Sequence, residues 1–420
     1  AEVFRDKAFW TQLWFTIRYV FFTVIISNVL AVAIALALTS GIRGERWLRA
    51  GYFTPNLIGG IVLGYLWQSL FSRVLPYLGQ KYDWPLFQTS WLTSTDKAFW
   101  ALVIATSWQL AGYLMIIYIA GFTGVPKDIV EAAKIDGAGN FAVLRKIVLR
   151  LAVPAIVVCV FRAVCRRGRH CADPVLSAEK TGGGVVMPAR RLNHLLKNVL
   201  IYAGLVVFLS PFLIVILNSF KKTQYFIENP VAWPDPFQFA NYTDAFQKMN
   251  FMRGFANTLL ITALAVLVII LFSSMTGYLF VRFKWKINQV LFFIMLAAMT
   301  VPFQVIMIPL VMAYGNLGLL DSKAVLIFMY MGFGVPLGVF LFHGFIKGIS
   351  YELEESSFID GCSRIRTFFQ IVFPLLRPVV VTLAVLDVLW VWNDYLLPSL
   401  VLLSPANRTL PLSIYAFFST

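Results

Sequence analysis

The stretch VPKDIVEAAKIDGAGNFAVLRKI, residues 125–147, lies between long apolar runs, carries charges of both signs and is interrupted by Gly137 and Gly139. Its layout returns at 350–371 as SYELEESSFIDGCSRIRTFFQI. The two copies align without a gap. Glu131 falls on Glu355, Asp136 on Asp360, Gly137 on Gly361, Ile147 on Ile371 and Pro154 on Pro378, and Gly124 falls on Gly348. Such a match at one constant offset indicates an internal duplication. Two solvated connections whose charges only aid topology would not need to share it. Each copy reads as a short helix, a change of direction that glycine permits, and a second helix feeding the next apolar run. A short helix lying along a membrane surface suits a groove on a soluble partner.

The surrounding chain sets the environment. Of 420 residues, 59% are hydrophobic and only 13% charged, against about 25% charged in ordinary soluble domains. Apolar runs at 13–38, 51–71, 98–120, 197–218, 254–280, 288–313, 323–345 and 375–397 approach the roughly 20 residues that cross a bilayer core. A buried soluble helix explains any one of these runs but not the series. The expected fold is an all-α polytopic membrane protein. The net charge of +15 does not call for nucleic acid, because cytoplasmic loops are enriched in Lys and Arg. GIRGERWLRA at 41–50 and VRFKWKINQ at 281–289 are therefore placed inside, and crossings counted from them put both duplicated segments inside too. The connections at 72–97 and 221–253, with their Trp, Pro and Tyr, face outward. AEVFRDKAFWTQ leads straight into a long span, so no cleavable signal is expected.

The duplicated segments resemble a family motif: Glu-Ala-Ala, three residues, Gly, nine residues, Ile, one residue, Leu-Pro. It marks the membrane subunits of binding-protein-dependent ABC importers. The first copy fits through Glu131, Ala132, Ala133, Gly137, Ile147 and Leu149, with Arg150 in place of Pro. The second keeps Glu355, Gly361, Ile371 and Pro374, but has Ser356 and Ser357 for the alanines and Phe373 for Leu. LSPFLIVILNSFK at 209–221, NTLLITALAVLVIILFSSMTGYLFVRFKWK at 257–286, TVPFQVIMIPLV at 300–311 and WVWNDYLLPSLVL at 390–402 resemble the second permease of the carbohydrate-uptake (maltose-type) branch. NVLAVAIALALTSGIRGERWLRAGYFTPNLIGGIVLGYLWQSLF at 28–71 resembles its first-permease partner.

The resemblance implies a duplicated type I ABC importer permease bundle in the bacterial cytoplasmic membrane, both halves truncated. A first unit would occupy 1–164, a basic disordered junction 165–196 and a second unit 197–420. It also implies a cytoplasmic ABC ATPase dimer docked on the loops around Glu131, Ala132, Ala133, Asp136, Gly137 and Glu355, Asp360, Gly361. An extracytoplasmic sugar-binding protein would deliver a carbohydrate from outside. ATP would sit on the partner subunits, and this chain would bind no cofactor.

No Gly-x4-Gly-Lys-Ser/Thr loop occurs; TGGGVVMPAR at 181–190 lacks the lysine and the hydroxyl. No nucleophile–base pair appears in the spans, so the chain is not expected to be an enzyme. Ionisable groups inside spans are functional candidates. Asp387, Trp392 and Asn393, with Asp394 beside them, are candidates for the substrate pathway, Trp392 by stacking on a sugar face and Asn393 by bonding hydroxyls. The competing reading pairs Asp387 inside the bundle and leaves the aromatics as interfacial anchors. Cys159, Cys165, His170 and Cys171 lack usual zinc-finger spacing, and no metal site is expected. Both duplicated loops share one side only if 147–164, with Arg150, Pro154 and Arg162, does not cross. An ion- or proton-coupled secondary transporter also uses internal repeats, but would place its paired features near the midplane rather than in cytoplasmic loops.

Overall fold

The computed structural model describes residues 6–39, 42, 44–123 and 191–419. The first duplicated loop with Glu131, Ala132, Ala133, Asp136 and Gly137, the stretch 147–164 and the junction up to residue 190 lie outside the described residues. All regular elements among the described residues are helices. The chain divides into two compact units, one holding the described residues up to 243 and the other residues 244–419.

In the first unit, α1 (Lys7–Leu38), α2 (Glu45–Phe53), α3 (Gly60–Ser69), α4 (Leu75–Lys81) and α5 (Thr95–Thr123) are joined by α6 (Arg191–Ser219). Helix α1 buries Thr23, Ser27, Ala31, Ala35 and Leu38, a stripe with near four-residue spacing. Small side chains there let α1 lie close to α5, the usual solution where lipid gives no hydrophobic drive for helix association. Two hydrogen bonds fix the pair: Tyr118 Oη donates to Asn28 Oδ1 at 2.6 Å, and Tyr19 Oη to Thr106 Oγ1 at 2.8 Å. Helix α6 belongs to this unit, with Tyr52 Oη donating to the Ile201 carbonyl at 3.1 Å and Trp108 Nε1 to that of Phe208 at 2.8 Å. The helix that opens the expected second permease unit thus packs with the first. It begins at Arg191, so residues 191–196 are helical rather than a disordered end of the junction. The leucines of that run favour helix, and the apolar span itself is Asn198–Ser219.

After α7 (Thr223–Glu228) and α8 (Ala240–Lys248), the second unit is built on α9 (Phe251–Arg282), α10 (Lys286–Thr300), α11 (Phe303–Asn316) and α12 (Lys323–Ile346). Then come α13 (Glu352–Ile359), α14 (Arg364–Leu375), α15 (Arg377–Asn393), α16 (Leu396–Val401) and α17 (Leu410–Ser419). Helices α9 and α12 form its spine. Ile261, Ala265, Ile269, Ser273 and Gly277 are buried along α9. A Cβ at Gly277 would come within 2.9 Å of Phe342 Cβ, which explains a residue without one at that crossing.

Five helices are long and apolar enough to cross a membrane singly: Lys7–Leu38, Thr95–Ile119, Asn198–Ser219, Phe251–Arg282 and Lys323–Ile346. The other three expected spans are not single rods. They are helix pairs bent by 91° (Glu45–Asn56 with Gly60–Lys81), 103° (α10 with α11) and 76° (α14 with α15). The local chemistry accounts for each bend. Gly59 and Gly60 separate the first pair. Pro302 precedes α11 and leaves Val301 extended at φ −78°, ψ 117°, as proline does to its predecessor. Leu376 and Pro378 flank the start of α15.

Candidate functional site

The duplicated loop is described in its second copy, and it is built around an acid that the motif does not name. Helix α13 opens with Glu352, Glu354 and Glu355 in its first turn, where carboxylates complement the positive helix end. Glu355, the motif acid, is exposed, as is Asp360, whereas Glu354 is fully buried. Arg282 at the end of α9 donates to Glu354 Oε1 through Nε at 2.7 Å and pairs through Nη2 at 2.6 Å. Tyr278 Oη donates to Oε2 at 2.7 Å. The same guanidinium donates to the Ile349 carbonyl at 3.2 Å and lies over the Tyr351 ring. One carboxylate therefore clamps the loop helix to the end of a long span.

The rest of the loop follows from local rules. Helix α13 ends at Ile359 with Asp360 as its C-cap, and Gly361 follows with φ +80°, the left-handed residue that commonly closes a helix. Ser363 Oγ accepts from Arg366 N at 3.4 Å and starts α14. Ser357, where the family pattern has alanine, is buried and shares a 2.6 Å hydrogen bond with Thr367 Oγ1. The departure from the pattern is thus a partnered hydroxyl that ties the two loop helices together. The outer side carries Ile359 at 86% exposure and Ile365 at 72%. Large aliphatic side chains this bare, set among charges, suit a partner surface.

The pathway candidates fall on different faces of α15. Asp387 is buried, and no ion pair or hydrogen bond to it occurs among the described residues; its Oδ2 is unpartnered. Trp392 packs edge-on against Phe255 with centroids 5.6 Å apart. Asn393 Nδ2 donates to the Leu389 carbonyl of its own helix at 3.0 Å. Trp390 and Asp394, four residues apart, instead line a cavity of about 320 Å³ in the second unit. The first unit holds one of about 430 Å³ beside Trp67, Gln68, Phe71 and Gln109. Sequence reasoning missed Glu354 because only Glu355 matches the motif, and it missed Trp390 because helix phase was not fixed.

At the end of α12 away from the duplicated loop, Asp321 sits in the left-handed region (φ +59°) just before the helix. Its Oδ1 accepts from Ser404 N at 2.9 Å, Ser404 Oγ at 3.1 Å, Asn407 Nδ2 at 3.2 Å and Leu403 N at 3.0 Å. These bonds, the Ser404 backbone N–H foremost, hold its carboxyl below the ordinary carboxylate range.

Comparison with known proteins matches residues 27–222 and 269–420 to the binding-protein-dependent transport system inner membrane component family. The probable starch degradation products transport system permease protein AmyC of Thermoanaerobacterium thermosulfurigenes is 46% identical over 232 residues, 54% of this chain and 84% of that protein. The probable starch degradation products transport system permease protein AmyD of the same organism is 37% identical over 158 residues, 37% of this chain and 53% of that protein. The multiple sugar-binding transport system permease protein MsmG of Streptococcus mutans is 34% identical over 235 residues, 54% of this chain and 83% of that protein. Long apolar helices, a duplicated loop clamped to the end of a span and a family match in two segments lead to one assignment: the chain is a multi-pass membrane protein that belongs to the family of binding-protein-dependent transport system inner membrane components.

Proposed function

We propose that this chain is the permease of an ATP-driven sugar importer, carrying two permease units and coupled through its loops at 124–146 and 348–370 to cytoplasmic ATPase subunits. The observation that carries the reading is the second loop. Its inner side is fixed to α9 through Glu354 and Arg282, while its outer side presents Glu355, Ile359 and Ile365. A helix held rigidly to a span and bare on the opposite side transmits a push from a soluble partner without absorbing it. Sugar as the cargo is supported by what the names of AmyC, AmyD and MsmG state of those proteins. An extracytoplasmic sugar-binding protein would dock on the outer connections, and the pathway would pass the 387–395 region. ATP chemistry belongs to the partner subunits.

The test is co-expression with an ABC ATPase and a secreted sugar-binding protein of the same transporter class. Co-purification with the ATPase and maltotriose uptake abolished by an ATPase-dead partner are expected. Uptake that continues without the ATPase and collapses with the proton gradient would favour a coupled secondary transporter, for which the unpartnered Asp387 inside a span is the feature to examine.

A further inference from the structure

Two interrupted helices meet at the cavity of the second unit. Helix α10 has 15 residues, about 22 Å at 1.5 Å per residue, and α15 has 17, about 25 Å. Both fall short of a bilayer core of about 30 Å. Their breaks, at Val301–Pro302 and Asp394–Tyr395, therefore leave irregular backbone at membrane depth. Such backbone is tolerated only where it is buried in protein or lines a polar cavity. Here Val301, Phe303, Gln304 and Asp394 all line the same space.

The lining has a definite chemistry. Trp390 and Phe333 supply aromatic surface, each braced at nearly a right angle: Trp390 by Tyr330 with rings 86° apart, Phe333 by Phe303 at 88°. Asp394 is buried, with Oδ2 accepting from Tyr330 Oη at 3.0 Å and Oδ1 from Leu396 N at 3.2 Å. Gln304, on the first turn of α11, makes no hydrogen bond among the described residues. Its side chain is exposed on the cavity wall, so its amide donor and acceptor are both open to a ligand hydroxyl. The volume of about 320 Å³ falls at the lower end of small-molecule sites, about 300–1,000 Å³.

We infer that this cavity is a transient subsite for one ring of a neutral sugar, lying on the translocation route of the second unit. Trp390 offers the flat apolar face, and Gln304 and Asp394 face the hydroxyls. The carboxylate disfavours anionic cargo. A cation would also be drawn to an aromatic and acidic lining, and the test separates the two. The inference rests on the sugar-importer reading above and adds the residues that meet the cargo.

The probe is the full chain in lipid nanodiscs, with its four cysteines replaced by serine and a Met299→Cys substitution in the cavity lining, reacted with a maleimide. Millimolar maltotriose or raffinose should slow labelling at least threefold, and glycine betaine should not. Gln304→Ala and Trp390→Ala should each remove the protection, while Trp390→Phe, which keeps an aromatic face and guards against a folding defect, should retain part of it. Unchanged labelling with both sugars overturns the subsite, as does protection by betaine alone, protection undiminished in Trp390→Ala, or blockage by lipid regardless of sugar. Uptake by the wild-type assembly is measured in parallel. Uptake without protection sinks the subsite alone; neither uptake nor protection sinks both readings.

Discussion

Glu354 and Arg282, separated by 72 positions in sequence, form a buried ion pair at 2.6 Å that joins the duplicated loop to the C-terminal end of α9. The side chain of Glu354 is 1% exposed and that of Arg282 13%, so water screens neither well. A buried pair is weak evidence for net stabilisation, but breaking it by removing one partner strands the other charge at a cost of about 3–5 kcal/mol.

Glu354→Ala should therefore lower the melting temperature of the purified protein clearly, whereas Glu355→Ala should leave it nearly unchanged. For transport both variants should be impaired, each for its own reason. Glu354→Ala would impair coupling by loosening the loop, and Glu355→Ala by removing a contact. Equal melting temperatures for the two variants would show that the clamp does not hold the loop.

Gly361→Val should uncouple transport through backbone conformation alone. Gly361 has φ +80°, and a Cβ there would meet nothing within 4 Å, so no steric clash enters. The left-handed region costs an ordinary L residue about 1–2 kcal/mol, and a β-branched one more. Gly361→Asn, which tolerates that region better, should retain more sugar-stimulated ATPase activity than Gly361→Val. Indistinguishable activities in the two variants would remove the turn from the mechanism.

The outer loop should respond to acid. Hydrogen bonds hold the Asp321 carboxyl below its ordinary value, so its contribution to stability is present above about pH 4 and is lost as pH falls through the lowered folded value. At neutral pH, Asp321→Asn should free the 402–407 turn, read as faster amide exchange at Leu403 and Ser404. Exchange unchanged by the substitution at pH 7 would contradict this.

Much of this was legible in the sequence because it rests on local rules. Apolar length marked the spans, and the Glu–Gly spacing marked the loop with its helix, turn and second helix. Glu354 and the Trp390–Asp394 face were not legible. Each depends on which way a helix is rotated against a distant neighbour: Glu354 on Arg282, Trp390 on Tyr330. The bends were half-visible. Pro302 and the Gly59–Gly60 pair can be read directly, but glycine and proline also occur inside straight membrane helices, as Pro336 does in α12.

The most direct measurement places a photo-crosslinker at Ile359, the most exposed large hydrophobic side chain of the loop, in cells that express the whole transporter. The predicted result is a cross-link to the ATPase subunit that changes in yield when sugar and ATP drive the cycle, with no such product from a crosslinker at Leu403 on the outer side. A cross-link from Ile359 only to lipid, or equally to the secreted binding protein, would contradict the coupling role of the loop.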